Sequence, residues 1–416
     1  MSTSTLASEP LSSVFVSAPR IPADAIFALT AEYLADTFPQ KVNLGQGAYR
    51  DDEGQPWVFP SVRESRRVIN EGLQHEYLPI LGLQHFRDNA AELALGPETY
   101  AAACNKLATC QTLSGTGALH LAGRLIKFCQ HSLSKVNIPE PTWSNHRLVF
   151  SSLGFKCETM RYYDQETKTV DMASYLSTLQ AADPGSVIVL HACAHNPTGL
   201  DPTPRQWKEI VAIMKRRSLF PLFDAAYLGF NSGDFDKDAF AIRYFIHELG
   251  MESAVCLSFA ENMGLYGERV GCLILAAATE EIAVNSQSVL ESLQRSEISN
   301  PPAYGARVAE RVLADEGLRW SWFEDIRTMS RRMQSMRKSL YKNLVANCSS
   351  TRTLGPSSQA IRHVWLFGLS PDIVEKLKTE YHIYMAENSR ISIAGLNPAN
   401  VEYVAQSIAA VLNQEE

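Results

Sequence analysis

Five short runs rich in apolar and β-branched residues alternate with amphipathic stretches through the middle of this sequence. We interpret as buried strands the runs at 147–153, 186–194, 219–227, 253–260 and 269–277. Helical patterns lie between some of them, at 204–218 and 238–250. This alternation predicts an α/β fold in which helices cover a mostly parallel sheet. Because ligands in such folds bind beyond the carboxyl ends of the strands, the residues after each run are the first candidates for a functional site.

The pattern changes near residue 320. A long helical stretch (320–348) leads into shorter strand signals, and an amphipathic helix follows at 399–414. These features predict a second, smaller α+β domain. The length of 416 residues is enough for two or three domains.

Composition argues against several classes of partner. The chain has 38 Lys and Arg against 45 Asp and Glu, a net charge of −7, and no basic run suited to nucleic acid. No apolar run approaches the roughly 18 residues that span a membrane. The N-terminal segment resembles neither a secretory signal nor an Arg-rich transit peptide. The eight cysteines have no metal-ligand spacing, so we expect free thiols, no metal and a cytoplasmic protein.

A possible phosphate site precedes one helical pattern. Ser114, Gly115, Thr116 and Gly117 stand directly before it. Glycines let the backbone approach an anion, and a helix N-terminus supplies free N–H groups and a positive dipole end. The alternative is a plain N-cap with a tight turn.

Polar residues also end three of the apolar runs. The segment 191–199 has two histidines and ends in Asn-Pro-Thr-Gly, which is also a good turn sequence. Asp224 and Tyr227 close the next run. A buried Asp requires a partner such as a protonated ring nitrogen, although an N-cap would also explain it. The segment 258–271 combines Ser258, Glu261 and Arg269, whose planar fork suits phosphate or carboxylate but could equally form a surface ion pair.

Together these motifs resemble the aspartate aminotransferase family, fold type I enzymes that use pyridoxal 5'-phosphate (PLP). The resemblance extends from about Ser13 to the C-terminus. It rests on the segments VNLGQGAYRDD, HEYLPILGLQHFRDNAAELALG, QTLSGTGAL, PEPTWSNH, HACAHNPTGLDPTP, FDAAYLGF, SFAENMGLYGERVG, SNPPAYGARV and HIYMAENSRISIAGLN.

The resemblance implies a set of cofactor contacts. Matching positions for the phosphate are Ser114, Gly115, Thr116, Ser258 and Arg269, with Tyr77 reaching in from a neighbouring subunit. Asp224 matches the residue that keeps the pyridinium nitrogen protonated, and His191 matches a residue that supports that Asp indirectly. Asn196 and Tyr227 match the donors to the ring hydroxyl oxygen, and Trp143 matches the aromatic residue that stacks on the ring.

The resemblance also implies a dicarboxylic amino or oxo acid as substrate. Arg390 matches the arginine for the α-carboxylate, and Arg295, from the partner subunit, matches the arginine for the side-chain carboxylate. Gly47, Trp143 and Asn196 match further substrate-binding positions. Because Tyr77 and Arg295 would complete the neighbouring site, a homodimer is implied. The implied division is an N-terminal arm (1–14), a large cofactor-binding domain (51–325) and a small domain built from 15–50 and 326–416.

One departure from the family decides the interpretation. The family's Ser-Phe-Ala-Lys-Asn motif carries the lysine that forms a Schiff base with PLP and moves a proton, and here Glu261 stands in its place. A carboxylate cannot form that bond, so ordinary transamination loses its covalent anchor and its general base. Further departures are expected to alter the pocket walls: Ala225, Leu228, Met263, the segment 295–298 and the pair Arg362-His363.

Three explanations are open. The enzyme is repurposed, with Glu261 as acid or base together with Tyr77 as the catalytic candidates, and PLP or pyridoxamine 5'-phosphate (PMP) held without a covalent bond. Alternatively, the protein is a non-catalytic relative that binds a ligand or partners. The third possibility is an ordinary aspartate transaminase whose lysine was replaced by design or error. We favour the first, because a scaffold would not need nearly every cofactor contact.

Overall fold

The computed structural model describes residues 13–348 and 364–414. In these residues the strands are β1 (Val42–Asn43), β2 (Leu107–Leu113), β3 (Lys135–Glu140), β4 (Lys156–Arg161), β5 (Tyr163–Asp164), β6 (Thr169–Val170), β7 (Val187–His191), β8 (Phe220–Ala225), β9 (Ser253–Ser258), β10 (Val270–Ala276), β11 (Val364–Leu366), β12 (Ile383–Tyr384) and β13 (Arg390–Ser392). The helices are α1 (Ala25–Ala35), α2 (Pro60–Asn70), α3 (Gln84–Leu95), α4 (Pro97–Ala103), α5 (Ser114–Cys129), α6 (Ser144–Ser152), α7 (Met172–Ala181), α8 (Pro204–Arg216), α9 (Phe235–Asp238), α10 (Phe240–Arg243), α11 (Glu280–Glu297), α12 (Tyr304–Ala314), α13 (Glu316–Asn347), α14 (Pro371–Tyr381) and α15 (Val401–Gln414).

A seven-stranded sheet forms the centre of the fold, in the order β2-β10-β9-β8-β7-β3-β4. The strands from β9 to β4 run parallel, and β10 is antiparallel to both of its neighbours. The predicted mostly parallel α/β sheet is therefore confirmed. Because β10 runs the other way, it starts where the parallel strands end: Val270 pairs with Leu113 and Gly271 with Ser258. This brings residue 269 to the sheet edge at which β2, β8 and β9 end.

Both faces of the sheet are buried, which explains the near-continuous apolar runs of the sequence. Successive side chains of a strand point to opposite faces. In β7, Val187 and Val189 join the apolar cluster that includes α5, whereas Ile188 and Leu190 join the larger cluster on the other side. The sheet edge thus stands on a rigid, two-sided core.

One predicted strand is wrong. Residues 147–153 belong to α6 and its C-terminal turn, because the buried His146, Val149 and Phe150 recur at helical spacing. The strands before and after this run in the chain, β3 and β4, pair with each other in the sheet, and the run itself does not belong to the sheet. A short apolar run does not distinguish a strand from a buried helix.

The two ends of the described chain meet outside the main sheet. β1 pairs in parallel with β12, and the long helix α13 contacts both α2 and α15. The division into an arm and two domains stays a prediction; its boundary at 325/326 lies inside the continuous α13. Most of the predicted arm and the pair Arg362-His363 lie outside the described residues. In 13–348 and 364–414, we find no helix with the length and apolarity needed to cross a membrane.

Candidate active site

A cradle for an anion forms where β2 runs into α5. The helix begins at Ser114 with no side-chain cap, so its first N–H groups are free to bind a ligand. The hydroxyls of Ser114 and Ser258 lie 2.9 Å apart, and the Asn145 amide donates to the Thr116 hydroxyl at 3.4 Å. Free N–H groups and hydroxyls at one helix start fit a phosphate group.

Strained backbone marks the same cradle. Ser114 has φ = 60° and Arg269 has φ = 53°, in the left-handed region that residues other than glycine rarely adopt. The Arg269 guanidinium donates to the Tyr266 carbonyl at 2.9 Å. Strain of this kind costs about 1–3 kcal/mol per residue and clusters at ligand-binding sites. Two of the predicted phosphate residues are therefore held in an unusual backbone conformation.

Gly271 is packed tightly against the backbone of Ser114 and Leu257, and this packing gives a first prediction. A Cβ added there would lie 2.6 Å from the Ser114 carbonyl carbon and 2.7 Å from the Leu257 oxygen. We expect Gly271→Ala to destabilise the fold by about 3 kcal/mol, because backbone atoms must move apart, and to weaken phosphate binding. Urea unfolding measures the first effect and titration with PLP the second. Gly72→Ala is the matched control, since a Cβ there meets nothing within 4 Å and should change stability by less than about 1 kcal/mol. Equal effects of the two changes would contradict the prediction.

A buried carboxylate lies at the end of β8. His146 Nε2 is 2.9 Å from Asp224 Oδ2, and both side chains are buried. Although burial opposes ionisation, the hydrogen bond and the electrostatic interaction with His146 hold the pKa of Asp224 below its ordinary value. A carboxylate kept ionised in this way can hold a protonated ring nitrogen.

His146 is the hydrogen-bonded partner of Asp224 in this structure. The Thr142 hydroxyl lies 2.8 Å from His146 Nδ1 and 3.2 Å from His191 Nε2. His191 is also paired with Asp224 in the ladder between β7 and β8 and interacts with it electrostatically, and its role as an indirect partner of the Asp stays a prediction. Sequence analysis missed His146. It stands in the segment PEPTWSNH, but only the turn of α6 brings it under β8.

The other predicted ring contacts surround Asp224. The Asn196 N–H donates to His191 Nδ1 at 3.4 Å, and the Trp143 ring lies edge-on to His146 with centroids 5.4 Å apart. Burial, together with the charges of Glu261 and Asp224, raises the pKa of Tyr227 well above its ordinary value, so its hydroxyl stays a donor. The structure therefore brings Trp143, Asn196, Asp224 and Tyr227 together.

Glu261 lies among these groups, in the loop after β9. Its Oε2 atom is buried and has no hydrogen-bond partner. Burial and, after it, the charge of Asp224 raise the pKa of Glu261 to about 7, against the opposing effects of a backbone hydrogen bond, the charge of Arg269 and a hydrogen bond with Ser258. A carboxyl group with this pKa can give or take a proton at neutral pH.

The raised pKa of Glu261 predicts a pH-dependent stability. Between about pH 4.5 and pH 7 the folded protein keeps the proton on Glu261, whereas the unfolded chain has released it. The free energy of unfolding therefore falls as the pH rises through this range. Glu261→Gln should remove this contribution, and the variant should gain about 3 kcal/mol over wild type above pH 7 but little below pH 4.5. Urea unfolding of the cofactor-free protein at several pH values measures the difference. The exposed Glu53→Gln is the control for loss of one negative charge, and parallel profiles for wild type and Glu261→Gln would refute the assignment.

Arg390 lies near Tyr227. Its guanidinium donates to the Gly45 carbonyl and interacts electrostatically with Tyr227, and burial lowers the pKa of Arg390. Gly47, two residues after Gly45, is exposed, and a Cβ there would meet nothing within 4 Å. A cation at one end of an open loop region can bind a carboxylate.

Tyr77 and Arg295 lie apart from this cluster. Tyr77 is 82% exposed, and Arg295 is exposed and donates to the Ser299 hydroxyl. Within the described residues, no hydrogen bond or ion pair joins either of them to Asp224, Glu261 or Arg390. The single chain therefore leaves both side chains available to a second molecule.

Three expected pocket-wall residues do not line a pocket. Ala225, Leu228 and Met263 have no accessible surface and belong to the larger apolar core. The prediction that they alter the walls is wrong, because a residue without accessible surface cannot touch a ligand. These departures change core packing beneath the site.

The fold and this arrangement of groups define an α/β enzyme of fold type I, the PLP-dependent aminotransferase fold. Residues 39–408 match the family described as "Aminotransferase class I and II". The chain belongs to this family, and within it is aspartate aminotransferase-like.

Relatives of known name cover nearly the whole chain. It is 43% identical to "Aspartate aminotransferase, cytoplasmic" of Gallus gallus, over 95% of this chain and 97% of the relative. It is also 43% identical to "Aspartate aminotransferase, mitochondrial" of Dictyostelium discoideum, over 94% and 91%. The solved aspartate aminotransferase from Saccharomyces cerevisiae cytoplasm superposes with a TM-score of 0.92 at 40% identity, covering 97% of this chain and 99% of that one. An aromatic-amino-acid aminotransferase from Burkholderia pseudomallei, covalently bound to pyridoxal phosphate, gives 0.92 at 35% identity over 96% and 100%.

Proposed function

We propose that this protein is a lysine-less relative of aspartate aminotransferase that binds PLP or PMP without a covalent bond. It acts on amino or 2-oxo dicarboxylic acids, with Glu261 as the group that moves a proton. One observation carries the proposal: the buried Glu261 Oε2 has no hydrogen-bond partner among the described residues, and it lies close to Asp224, Ser258 and Arg269, the groups proposed to bind the cofactor. A protein that had lost its ligand would have no need to keep this costly group.

The residues fit the cofactor. The uncapped start of α5, Ser258 and Arg269 would hold the phosphate; Asp224 would hold the ring nitrogen. Trp143 would stack on the ring, and Asn196 and Tyr227 would bind its hydroxyl oxygen. When bound, the cofactor supplies an electron sink. The protein's own part is to orient the ring and keep its nitrogen charged.

Arg390 would bind the α-carboxylate of the substrate, with Gly47, Trp143 and Asn196 beside it. A guanidinium and a carboxylate form two parallel hydrogen bonds, which fixes the direction of the substrate. Glu261 would then accept or return a proton at the substrate's α-carbon, in the place where the family's lysine acts. Its pKa of about 7 suits both directions of transfer.

A homodimer is part of the proposal. The exposed Tyr77 and Arg295 would complete the neighbouring site, Tyr77 at the phosphate and as a further catalytic group, Arg295 at the second carboxylate. The division into arm, large and small domains is proposed on the same family grounds. A cytoplasmic location is supported by relatives named as cytoplasmic, although mitochondrial forms are equally similar.

Two absorbance titrations test the function. The purified protein is mixed with PLP and then L-aspartate, and in parallel with PMP and then 2-oxoglutarate. We expect each cofactor to bind and at least one pair to change the cofactor spectrum. Binding followed by no change with either pair would contradict the turnover of dicarboxylic acids and favour the non-catalytic alternative. Absence of any binding would overturn the proposal itself.

A further inference from the structure

The Oε2 atom of Glu261 is buried and has no hydrogen-bond partner in the described part of the chain. A buried carboxylate oxygen without a hydrogen bond costs free energy, so such an atom calls for a partner supplied from elsewhere. The backbone around Glu261 is fixed by the ladder between β9 and β10 and by the bond from the Ala260 N–H to Ser258 Oγ at 3.2 Å. The missing donor is therefore expected to come from a ligand.

The charges around Glu261 restrict which ligand can supply that donor. Asp224 raises the pKa of Glu261 beyond the effect of burial, and the charge of Glu261 in turn raises the pKa values of Tyr227 and Tyr266, after the larger effect of burial on each. Asp224 and Glu261 together make this part of the pocket negative, with Arg269 as the opposing cation. A cationic donor is favoured there and an oxygen acceptor is disfavoured.

The two forms of the cofactor differ at one group. PLP carries an aldehyde, whose oxygen only accepts hydrogen bonds, whereas PMP carries an ammonium group, which donates three. A charge-assisted bond from ammonium to carboxylate is about twice as strong as a neutral one. When Glu261 is ionised, an aldehyde oxygen facing Oε2 would leave that atom without a donor.

We propose that Glu261 makes this pocket selective for the amine form of the cofactor, and that its co-substrate is therefore a 2-oxo acid rather than an amino acid. The proposal rests on the function proposed above and narrows it. An amine in the pocket is complementary to a carbonyl group, whereas a second amine has no group with which to react. Arg390 would bind the carboxylate of the oxo acid.

The test is a pair of binding titrations. The full-length protein, dialysed free of cofactor, is titrated with PMP and with PLP by calorimetry. We expect PMP to bind at least about 10-fold more tightly, the size of one hydrogen bond to a charged group. Glu261→Gln keeps the shape of the side chain but not its charge. In this variant PMP should bind less than about 3-fold more tightly than PLP.

Asp238→Asn is the matched control. Asp238 is a second buried carboxyl group whose pKa burial raises to about 7, but its carboxylate accepts from the Ser232 N–H, outside the cluster around Asp224. This variant should keep the wild-type preference. PLP binding as tight as PMP in wild type, or an equal loss of preference in Asp238→Asn, would overturn this inference and leave the proposed function standing. Failure to bind either cofactor would instead reject the proposed function.

Discussion

Glu261→Lys is expected to bind PLP covalently and to transfer the amino group of L-aspartate at least about 10³-fold faster than wild type. A lysine at this position regains both the nucleophile and the general base, and a positioned general base alone contributes 10²–10⁴-fold. The surrounding groups favour this result, since Asp224, Tyr227 and Ser258 already adjoin the side chain. Burial would also lower the pKa of the new amine and leave more of it in its reactive neutral form.

Borohydride reduction followed by peptide mass spectrometry measures the covalent link, and a coupled assay of oxaloacetate formation measures the transfer. Glu53→Lys makes the same charge change at an exposed position and should leave both unchanged. Two results would count against the expectation. Bound PLP without a covalent link would mean that position 261 does not face the cofactor. A covalent link without transfer would mean that the substrate side of the pocket has diverged.

Arg390→Ala is expected to weaken binding of L-aspartate to the PLP-loaded protein by about 100-fold or more. Truncating one partner of a buried charge pair typically costs 2–5 kcal/mol. Arg390 is a partly buried cation, and the contact described above for its side chain is a hydrogen bond to the Gly45 carbonyl, which leaves it able to pair with a carboxylate. Affinity for PLP should change by less than about 3-fold, because no hydrogen bond or ion pair among the described residues joins Arg390 to Ser114, Ser258 or Arg269.

Arg269→Ala is the matched comparison. It removes a guanidinium from the cradle and should weaken PLP while leaving the carboxylate-binding end intact. Spectroscopic titration with PLP and then with L-aspartate gives both affinities for both variants. If the two variants lose the same affinity, the separation of cofactor and carboxylate ends would be incorrect. Unchanged aspartate binding in Arg390→Ala would remove Arg390 from the substrate site.

The sequence predicted the sheet well because buried parallel strands leave a strong signal. The runs that contain β7, β8, β9 and β10 were recognised, and each is nearly continuous in apolar residues. The run at 147–153 was misassigned because its apolar residues fit a buried helix equally well. β3 and β4 were missed, because Lys135, Glu140, Lys156 and Arg161 interrupt the apolar pattern at their ends.

The candidate site was predicted less evenly. Residues at the ends of strands, such as Ser114 after β2 and Asp224 near the end of β8, could be placed at one edge from topology alone. His146 could not, since its contact with Asp224 depends on how α6 packs against the sheet. The burial of Leu228 and Met263 also depends on tertiary packing. Chemical type therefore identified candidates, but only three-dimensional packing separated residues that face a ligand from residues that support them.

The antiparallel direction of β10 has an evolutionary consequence. The connection from β9 to β10 returns to the sheet edge from which it left, and ladder pairs such as Gly271 with Ser258 pin both of its ends. Glu261, the proposed proton-transfer group, and Arg269, the proposed phosphate-binding residue, thus lie in one short segment that the sheet holds at both ends. A substitution at position 261 can exchange the reaction chemistry while Arg269 stays in place. A protein with this loop can therefore change its reaction in evolution without first losing affinity for the cofactor.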